Sequence, residues 1–474
     1  MKIRSFSLSR HQLILTAAIT LVLSFVQTSQ AQTYTVLHRF TAGVDGATPY
    51  SGLIWDGGAN FYGTTSQGGY VNSACFDLGG GVATGCGVVY RLRRSGSDWT
   101  FSTIYEFRGG TADGNSPLAP ITIARDGTLY GTTWGGHYNG SHLCRWIGHD
   151  APDIGCGIVY QLRPPATTCK TALCSWNETI VWALDGTVPG GGAGPSQGQA
   201  VFDRSGNLYI TGWDSINDGE VFQLVPSGGS WMVGNTYVMY SAGGDYTPLL
   251  PLNNVVLDTA GNVYTTSELG QENMPNCGSE ILNGCGTVFQ LTPTSSGWTE
   301  TTIYQFTDGE DGKFPIAGLI SDQAGNLYGV TSTDGPQSGG TVFELSPSGG
   351  SWTYHVIYAL PNGYPQEGTC FIALETTGCS GPWGSLLMDS AGNLYGASYA
   401  NGLYHYGNVF KLTHSNGSWT YTDLYDFTGG TDGAQPAGQL ILDDDGNLYG
   451  TTLRGGGTSC DYGAGCGVVF EITP

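Results

Sequence analysis

Short apolar runs alternate with turn-forming segments along the whole chain, and this pattern recurs in a fixed order. Its most regular element is Asp-x-x-Gly-Asn-[Leu/Val]-Tyr-Gly-Thr-Thr, which is found in seven related copies spaced 54 to 79 residues apart. The copies are marked by the tyrosines Tyr62, Tyr130, Tyr209, Tyr264, Tyr328, Tyr395 and Tyr449. Such internal repetition is typical of repeat architectures.

Each copy predicts four short strands. A proline leads into a first apolar stretch, the tyrosine motif forms the second strand, Gly-x-Val-[Phe/Tyr]-x-Leu the third, and a segment beginning at a tryptophan the fourth. Hairpin signals separate these strands, and no window has a sustained helical period. The sequence therefore predicts an all-β fold, a seven-bladed β-propeller of four-stranded antiparallel blades. A β-helix, with its shorter and parallel turns, is the structural alternative.

The two ends of the chain predict how the ring closes. Residues 34–49 align without a gap on residues 421–436, whereas the last copy stops after its third strand, between Phe470 and Pro474. We therefore expect the N-terminal strand to complete the seventh blade. Closure of this kind leaves no exposed inner edge.

The first residues have the features of a secretory leader. Lys2, Arg4 and Arg10 precede an apolar run of 14 residues, 13–26, and Ser29-Gln30-Ala31 follows. The run is shorter than the roughly 20 residues that span a membrane, and Ser-x-Ala supplies the small residues of a cleavage site. We expect a signal peptide over residues 1–31 and a single propeller domain over residues 32–474, secreted or periplasmic, monomeric and not inserted in a membrane.

The charge balance limits the possible partners. The chain has 16 Lys and Arg against 38 Asp and Glu, a formal net charge of −22. A nucleic-acid partner is excluded, because phosphate binding needs clustered basic residues.

The combination of D-x-x-G-N-L-Y-G-T-T, G-x-V-F-x-L and W-T-x-x-x-[IV]-Y-x-F resembles the GloVer-type tandem-repeat family of exported bacterial proteins, and more distantly the NHL-type propeller repeats. The resemblance covers residues 34–474. It implies an extracytoplasmic propeller without an established activity, often with a C-terminal sorting or anchoring segment. The sequence ends directly after its last predicted strand, so we expect no C-terminal anchor.

Twelve cysteines fall into six pairs that are close in sequence. Together with a leader, an even count predicts disulfides. The pairs inferred from spacing are Cys75–Cys86, Cys144–Cys156, Cys169–Cys174, Cys277–Cys285, Cys370–Cys379 and Cys460–Cys466. Cysteines distant in sequence could also meet in space, and a zinc site is the alternative, although it would need a reducing compartment.

The arrangement of loops predicts where a ligand binds. In a propeller the loops between second and third strands, and those between blades, share one face, which we call the loop face; the tight hairpins share the other. Long and variable loops favour the loop face for recognition. Because aromatic rings stack on sugars, a carbohydrate platform is predicted there. Its candidate residues are Trp134, Trp213, Tyr399, Trp146 and Trp383. The alternative is that these rings pack beneath their own loops.

Five aspartates hold equivalent places in the loops that lead into the blades, which we call approach loops: Asp45, Asp113, Asp245, Asp311 and Asp432. A ring of carboxylates is a candidate Ca²⁺ site. Turn formation explains the same residues without a metal. We expect no cofactor, with calcium as the weaker alternative.

Catalytic signals are sparse, and we predict no catalytic residue. Ser196 lies in a Gly-x-Ser-x-Gly match that lacks the required strand-turn-helix context. His137, His142 and His149 share one long loop and are either metal ligands or surface residues. The sequence therefore favours a binding or scaffold protein whose partner is a polysaccharide or an extracellular protein. The alternatives are an exported lyase or glycoside hydrolase with its site at the central channel, and a structural envelope protein without a soluble ligand.

Overall fold

Seven four-stranded antiparallel sheets make up the computed structural model, and the predicted seven-bladed β-propeller is confirmed. The structure describes residues 32–72, 75, 84–137, 155–165, 176–184, 194–195, 198–213, 219–239, 253–268, 284–307, 309–361, 370–372, 375–377, 381–457, 460 and 463–473. Within this part of the chain no α-helix occurs. The predicted signal peptide, residues 1–31, lies outside the described residues.

The strands of each blade follow one another from the central axis outward, so that the first is the inner strand and the fourth the outer strand. Blades 1 to 3 consist of Ile54–Trp55, Asn60–Thr65, Val88–Ser95 and Asp98–Glu106; Thr122–Ile123, Leu129–Thr133, Ile158–Arg163 and Asn177–Ala183; and Val201–Phe202, Leu208–Trp213, Gly219–Ser227 and Ser230–Met239. Blades 4 and 5 consist of Val256–Leu257, Val263–Ser267, Thr287–Thr294 and Gly297–Gln305; and Ile320–Ser321, Leu327–Val330, Ser338–Ser348 and Ser351–Pro361.

Blade 6 consists of Leu387–Met388, Leu394–Ser398, Asn408–Ser415 and Ser418–Asp426, and blade 7 of Ile441–Leu442, Leu448–Thr452, Val468–Thr473 and Thr33–Arg39. Short pairings also join Gly114–Asn115 to Gly135–Gly136, Gly194–Pro195 to the end of the second strand of blade 3, and Cys370–Ile372 to Glu375–Thr377. The inner strands are only two residues long, because the chain turns away at the Asp-x-x-Gly-Asn hairpin.

Ring closure follows the alignment of the two chain ends. The N-terminal strand Thr33–Arg39 pairs antiparallel with Val468–Thr473, from Thr33 opposite Thr473 to Arg39 opposite Val468. Phe40 N then donates to Gly467 O at 3.1 Å, and Phe427 N makes the same bond to Gly407 O at 3.0 Å in blade 6. The predicted closure is therefore confirmed, and the N-terminal strand takes the outer position of a standard blade.

The hydrophobic core lies between successive blades. Val89 and Phe107 of blade 1, for example, pack with Ile121 and Tyr160 of blade 2. The second strands are largely buried, and Leu448–Thr452 is buried along its whole length, because each lies between two neighbouring blades. Aromatic rings also stack between the outer strands of adjacent blades, with centroid separations of 3.8 to 4.6 Å: Tyr34 with Tyr425, Tyr304 with Tyr354, and Tyr358 with Tyr421.

The glycine of the tyrosine motif is required by an aromatic ring of the third strand. A Cβ at Gly396 would lie 2.5 Å from Cζ of Phe410 and 3.1 Å from Cδ2 of Leu386. Phe410 is fully buried, so its ring has no room to move aside. We therefore expect Gly396→Ala to lower the free energy of unfolding by about 2 kcal/mol, the usual cost of overpacking a core.

Denaturant unfolding followed by circular dichroism measures this effect. Gly430→Ala is the matched control, because its Cβ would meet nothing closer than 3.4 Å. Adding Phe410→Leu to Gly396→Ala should recover part of the loss by making room for the methyl group. Equal effects of the two glycine substitutions would show that the ring does not require the glycine.

Candidate functional site

The first residues after each repeat proline, or its equivalent in blade 3, line a cavity on the propeller axis. All seven blades contribute to its wall, which encloses about 60 Å³. The described lining residues are Tyr50, Ser51, Gly52, Leu118, Pro120, Gly198, Gln199, Asn253, Asn254, Ile316, Trp383, Gly384, Ser385, Ala437, Gly438 and Gln439. These segments follow the approach loops directly, so the cavity opens toward the loop face.

Glycines bring the blades close together around this cavity. A Cβ at Gly384 would lie 2.5 Å from the carbonyl oxygen of Gly438, and a Cβ at Gly52 would collide with the backbone carbonyl of Gln439. The resulting volume has room for a few water molecules. A sugar ring is larger than this volume, so a saccharide has to rest at the mouth instead of entering completely.

Amide and hydroxyl side chains form the polar part of the wall. The Nε2 atoms of Gln199 and Gln439 donate to the backbone carbonyls of Ile121 and Leu386, at 2.8 and 3.2 Å. Ser385 Oγ donates to Asn254 Oδ1 at 3.1 Å and so joins blade 6 to blade 4. Each glutamine therefore keeps one N–H of Nε2 as a donor and Oε1 as an acceptor, and Asn254 keeps Nδ2 as a donor.

Three aromatic side chains meet at the mouth of the cavity: Tyr50, Trp383 and Tyr399, which we call the aromatic mouth. The rings of Trp383 and Tyr399 stack with centroids 4.3 Å apart and planes 15° apart. Tyr50 lies 6.1 Å from Trp383 in a tilted arrangement. Tyr399 is buried, whereas Trp383 and Tyr50 are partly exposed, so the aromatic mouth presents apolar surface on a rigid support.

Two of the five predicted platform residues, Trp383 and Tyr399, thus come together. Trp134 holds the place of Tyr399 in blade 2, is partly buried, and lies outside the described cavity lining. The backbone of Trp213 ends the second strand of blade 3, and its side chain lies outside the described part of the structure. Trp146 lies outside the described residues. The platform first expected around Trp134 and Trp213 therefore stays a prediction.

Tyr50 was missed by the sequence reasoning, although a signal for it existed. It follows Pro49 as Trp383 follows Pro382, and the same position, directly after the repeat proline, also begins the described cavity wall in blades 2, 5 and 7. The predicted platform rested mainly on the position four residues after each repeat tyrosine, where Trp134, Trp213 and Tyr399 lie.

The carboxylates of the described approach-loop aspartates accept hydrogen bonds from their own loops and from the strand that precedes each loop. Asp311 Oδ2 accepts from Thr307 N at 2.9 Å and Tyr304 OH at 3.0 Å, and Oδ1 accepts from Thr307 Oγ1 at 2.9 Å. Asp432 makes the same set of bonds with Thr428 and Tyr425. These contacts are those of turn-capping residues tied to an outer strand.

The other approach-loop aspartates vary this arrangement. Asp45 accepts from Thr41, and His38 takes the place of the tyrosine, with Nε2 3.2 Å from Asp45 Oδ2. Asp113 accepts from Arg108 N, Gly114 N and Tyr105 OH, yet burial raises its pKa. Asp245 lies outside the described residues. Within the described part of the chain, no three His, Cys, Asp or Glu side chains are grouped as a metal site would require.

Disulfides join Cys75 to Cys86 and Cys460 to Cys466, with Cα atoms 4.8 and 4.9 Å apart. Both close the loop between the second and third strands of their blades. Cys156 and Cys285 are also disulfide-bonded. The expected partners Cys144 and Cys277 lie outside the described residues, as do Cys169, Cys174 and Cys379, so the other pairings stay predictions. Ser196, His142 and His149 also lie outside the described residues.

A buried carboxylate in blade 4 is a feature that the sequence reasoning did not single out as unusual. Glu268 follows the second strand at the place of Tyr399 and has no exposed surface. Neither carboxylate oxygen has a hydrogen-bond partner among the described residues. Burial raises the pKa of Glu268 to about 8, so its carboxyl is largely protonated at neutral pH.

Solved structures resemble this chain in fold. A polysaccharide lyase of a new family, an ulvan lyase bound to -[GlcA(1-4)Rha3S]-, has a TM-score of 0.52 at 10% identity, covering 92% of this chain and 95% of that one. A protein of unknown function from Dyadobacter fermentans has a TM-score of 0.41 at 10% identity, covering 94% and 98%. A gluconolactonase from Xanthomonas campestris has a TM-score of 0.32 at 14% identity, covering 62% and 75%.

No curated protein matches the sequence. In the described part of the chain, no helix combines the length and the apolar character that crossing a membrane requires. The Gloeobacter/Verrucomicrobia repeat matches residues 149–371 and 356–474, which together are more than half of the chain. The protein therefore belongs to the Gloeobacter/Verrucomicrobia repeat family.

Proposed function

We propose that this protein is a secreted or periplasmic binding protein, one propeller domain over residues 32–474, that holds a carbohydrate at the loop-face mouth of its axial cavity. The observation that carries the proposal is the aromatic mouth. Trp383 presents a partly exposed indole beside the cavity, and Tyr399 and Tyr50 support it. The disulfides fit an oxidising, extracytoplasmic compartment.

The indole of Trp383, held in place by Tyr399, is a suitable surface for a sugar ring to stack on. The face of a pyranose carries C–H groups that pack on an aromatic surface, and its hydroxyls bond to polar groups around the edge. Tyr399 holds the indole of Trp383 in place, so little side-chain freedom is lost when a ligand binds. The polar wall below the mouth offers Gln439 and Ser385 on the two neighbouring blades 7 and 6.

The cavity wall favours binding over hydrolysis at the channel. Glycoside hydrolysis uses two carboxylic side chains on either side of the scissile bond. All sixteen described lining residues are uncharged. The likeness to a polysaccharide lyase concerns the fold alone and carries no assignment of activity.

We expect Trp383→Ala to weaken polysaccharide binding by at least about 10-fold, equivalent to about 1.4 kcal/mol, because the stacking surface is lost. Residues 32–474 are incubated with insoluble polysaccharides, and both the depletion of protein and the release of reducing or unsaturated sugar ends are measured. The expected result is depletion without product.

Trp419→Ala is the matched control. It also removes one partly buried indole, but Trp419 packs against His414 at a hairpin on the opposite face. If Trp383→Ala binds as the wild type does, the aromatic mouth is not the site. Release of sugar ends would show an enzyme instead. Loss of binding in the presence of a calcium chelator would indicate that binding requires Ca²⁺, for which the approach-loop aspartates are the candidate ligands.

A further inference from the structure

We infer that the ligand of the aromatic mouth is an uncharged sugar residue at the end of a glycan chain, not a uronate inside one. The inference rests on the proposed function of this site and narrows its ligand class. Three observations carry it: the charge of the cavity wall, its hydrogen-bonding groups, and its shape.

The described residues of the wall offer no counter-charge to an acidic sugar. Its sixteen described residues, from all seven blades, are glycines, apolar or aromatic residues, amides and serines. The chain as a whole has a net charge of −22. A uronate carboxylate brought to the axis would lose water without gaining a cation, and the field of the protein would oppose its approach.

The polar groups match hydroxyls. Gln199 and Gln439 each donate one N–H of Nε2 to a backbone carbonyl, which leaves the second N–H to donate and Oε1 to accept. Asn254 uses Oδ1 to accept from Ser385, which leaves Nδ2 to donate. A hydroxyl both donates and accepts, so neighbouring hydroxyls of a neutral sugar satisfy such a mixed set, whereas a carboxylate only accepts.

The shape of the cavity selects a chain end. The wall is a closed ring of seven blades enclosing about 60 Å³, and Gly52, Gly384 and Gly438 bring its backbones into close approach. A cavity of this volume cannot hold a run of several sugar residues. A terminal residue can instead stack on Trp383 and direct its outermost hydroxyls to Gln439, Gln199 and Asn254.

The test compares oligosaccharides that differ only in charge. Uronate-containing oligosaccharides and their carboxyl-reduced, neutral counterparts are titrated into residues 32–474 by calorimetry, together with neutral hexose, pentose and deoxyhexose oligosaccharides. We expect at least one neutral saccharide to bind at least about 10-fold more tightly than its uronate counterpart. Its affinity should change by less than about twofold between 0.05 and 0.5 M NaCl, because no ion pair is screened.

A second comparison tests the chain end. Attaching a bulky group to the reducing or the non-reducing end should abolish binding in one case and leave it unchanged in the other. Binding that survives when both ends are blocked would overturn the inference. The variants Trp383→Ala and Trp419→Ala are titrated in parallel, and only the first should lose binding.

The outcomes separate the two proposals. Suppose that the uronate-containing oligosaccharide binds more tightly than its carboxyl-reduced counterpart, and that Trp383→Ala abolishes this binding. The inference on ligand charge would then be overturned, whereas the proposed function would stand. If no saccharide binds, or if Trp383→Ala binds as the wild type does, the proposed function fails together with the inference.

Discussion

A chain that begins at residue 42 is expected to melt about 10 °C or more below the chain that begins at residue 32. The shorter chain lacks the outer strand of blade 7 and the buried ring of Phe40. It also loses Tyr34, which stacks on Tyr425 of blade 6. The lost ladder bonds and apolar contacts together amount to roughly 10 kcal/mol, and a protein of this size unfolds with an entropy of about 0.9 kcal/mol/K.

Loss of the strand also exposes an edge. Val468–Thr473 is almost fully buried, and without its partner it would present unpaired backbone groups to solvent. We therefore expect the shortened protein to aggregate on heating as well. Differential scanning calorimetry and light scattering measure the two effects.

A circular permutant provides the control for this deletion. Thr33 lies opposite Thr473, so a short linker can join the two ends. New ends between Gly349 and Gly350 fall in an exposed hairpin, where a Cβ on either glycine would meet nothing within 4 Å. The permutant should melt within a few degrees of the wild type, because its closing strand is retained. An unchanged melting temperature of the shortened chain would show that the N-terminal strand does not stabilise the ring.

Glu268→Gln is expected to stabilise the protein by about 4 to 5 kcal/mol at pH 9 and to have little effect at pH 4.5. Burial raises the pKa of Glu268 to about 8, above its ordinary value of 4.5. A carboxyl whose pKa is raised on folding contributes stability below its unfolded pKa, and this contribution is lost as the pH rises through the folded pKa. The wild type should therefore lose stability between about pH 4.5 and 9.

Denaturant unfolding at several pH values measures this difference. Glutamine has the shape of the protonated carboxyl but does not ionise, so this part of the pH dependence should disappear in the variant. Glu310→Gln removes an exposed carboxylate in the approach loop of blade 5 and serves as the control. If both variants follow the pH profile of the wild type, the carboxyl of Glu268 is hydrated or paired in solution.

The blades were predictable because the signals that form them are local. In the hairpin that carries Tyr328, Asp322 Oδ1 accepts from Ala324 N and Asn326 N, and Asp322 Oδ2 accepts from the Asn326 side chain. Each of these residues lies within four positions of Asp322, so the motif can be read from the sequence. The closing strand was predictable for a related reason, since its match to residues 421–436 is a comparison of sequence with sequence.

The site was only partly predictable. Trp383 and Tyr399 were identified one at a time, from the loop face expected for each blade. Tyr50 is far from both in sequence and reaches them because the closed ring places blade 1 beside blade 7, next to blade 6. The burial of Glu268 was not predictable, because the same repeat position holds Ser66, Trp134, Ser332 and Leu453 in other blades.

The sequence by itself determined the number of blades, the order of their strands, the strand that closes the ring and which loops share a face. Hairpin turns form from residues that are close in sequence, and repeats are found by comparing one stretch of sequence with another. Both can therefore be read without the tertiary structure. Only the tertiary structure decided that the seven segments leading into the inner strands form one small cavity with an uncharged described lining, that Tyr50, Trp383 and Tyr399 share its mouth, and that Glu268 is buried. These properties depend on how close the blades approach one another, and that distance is set by the packing of all seven around the axis.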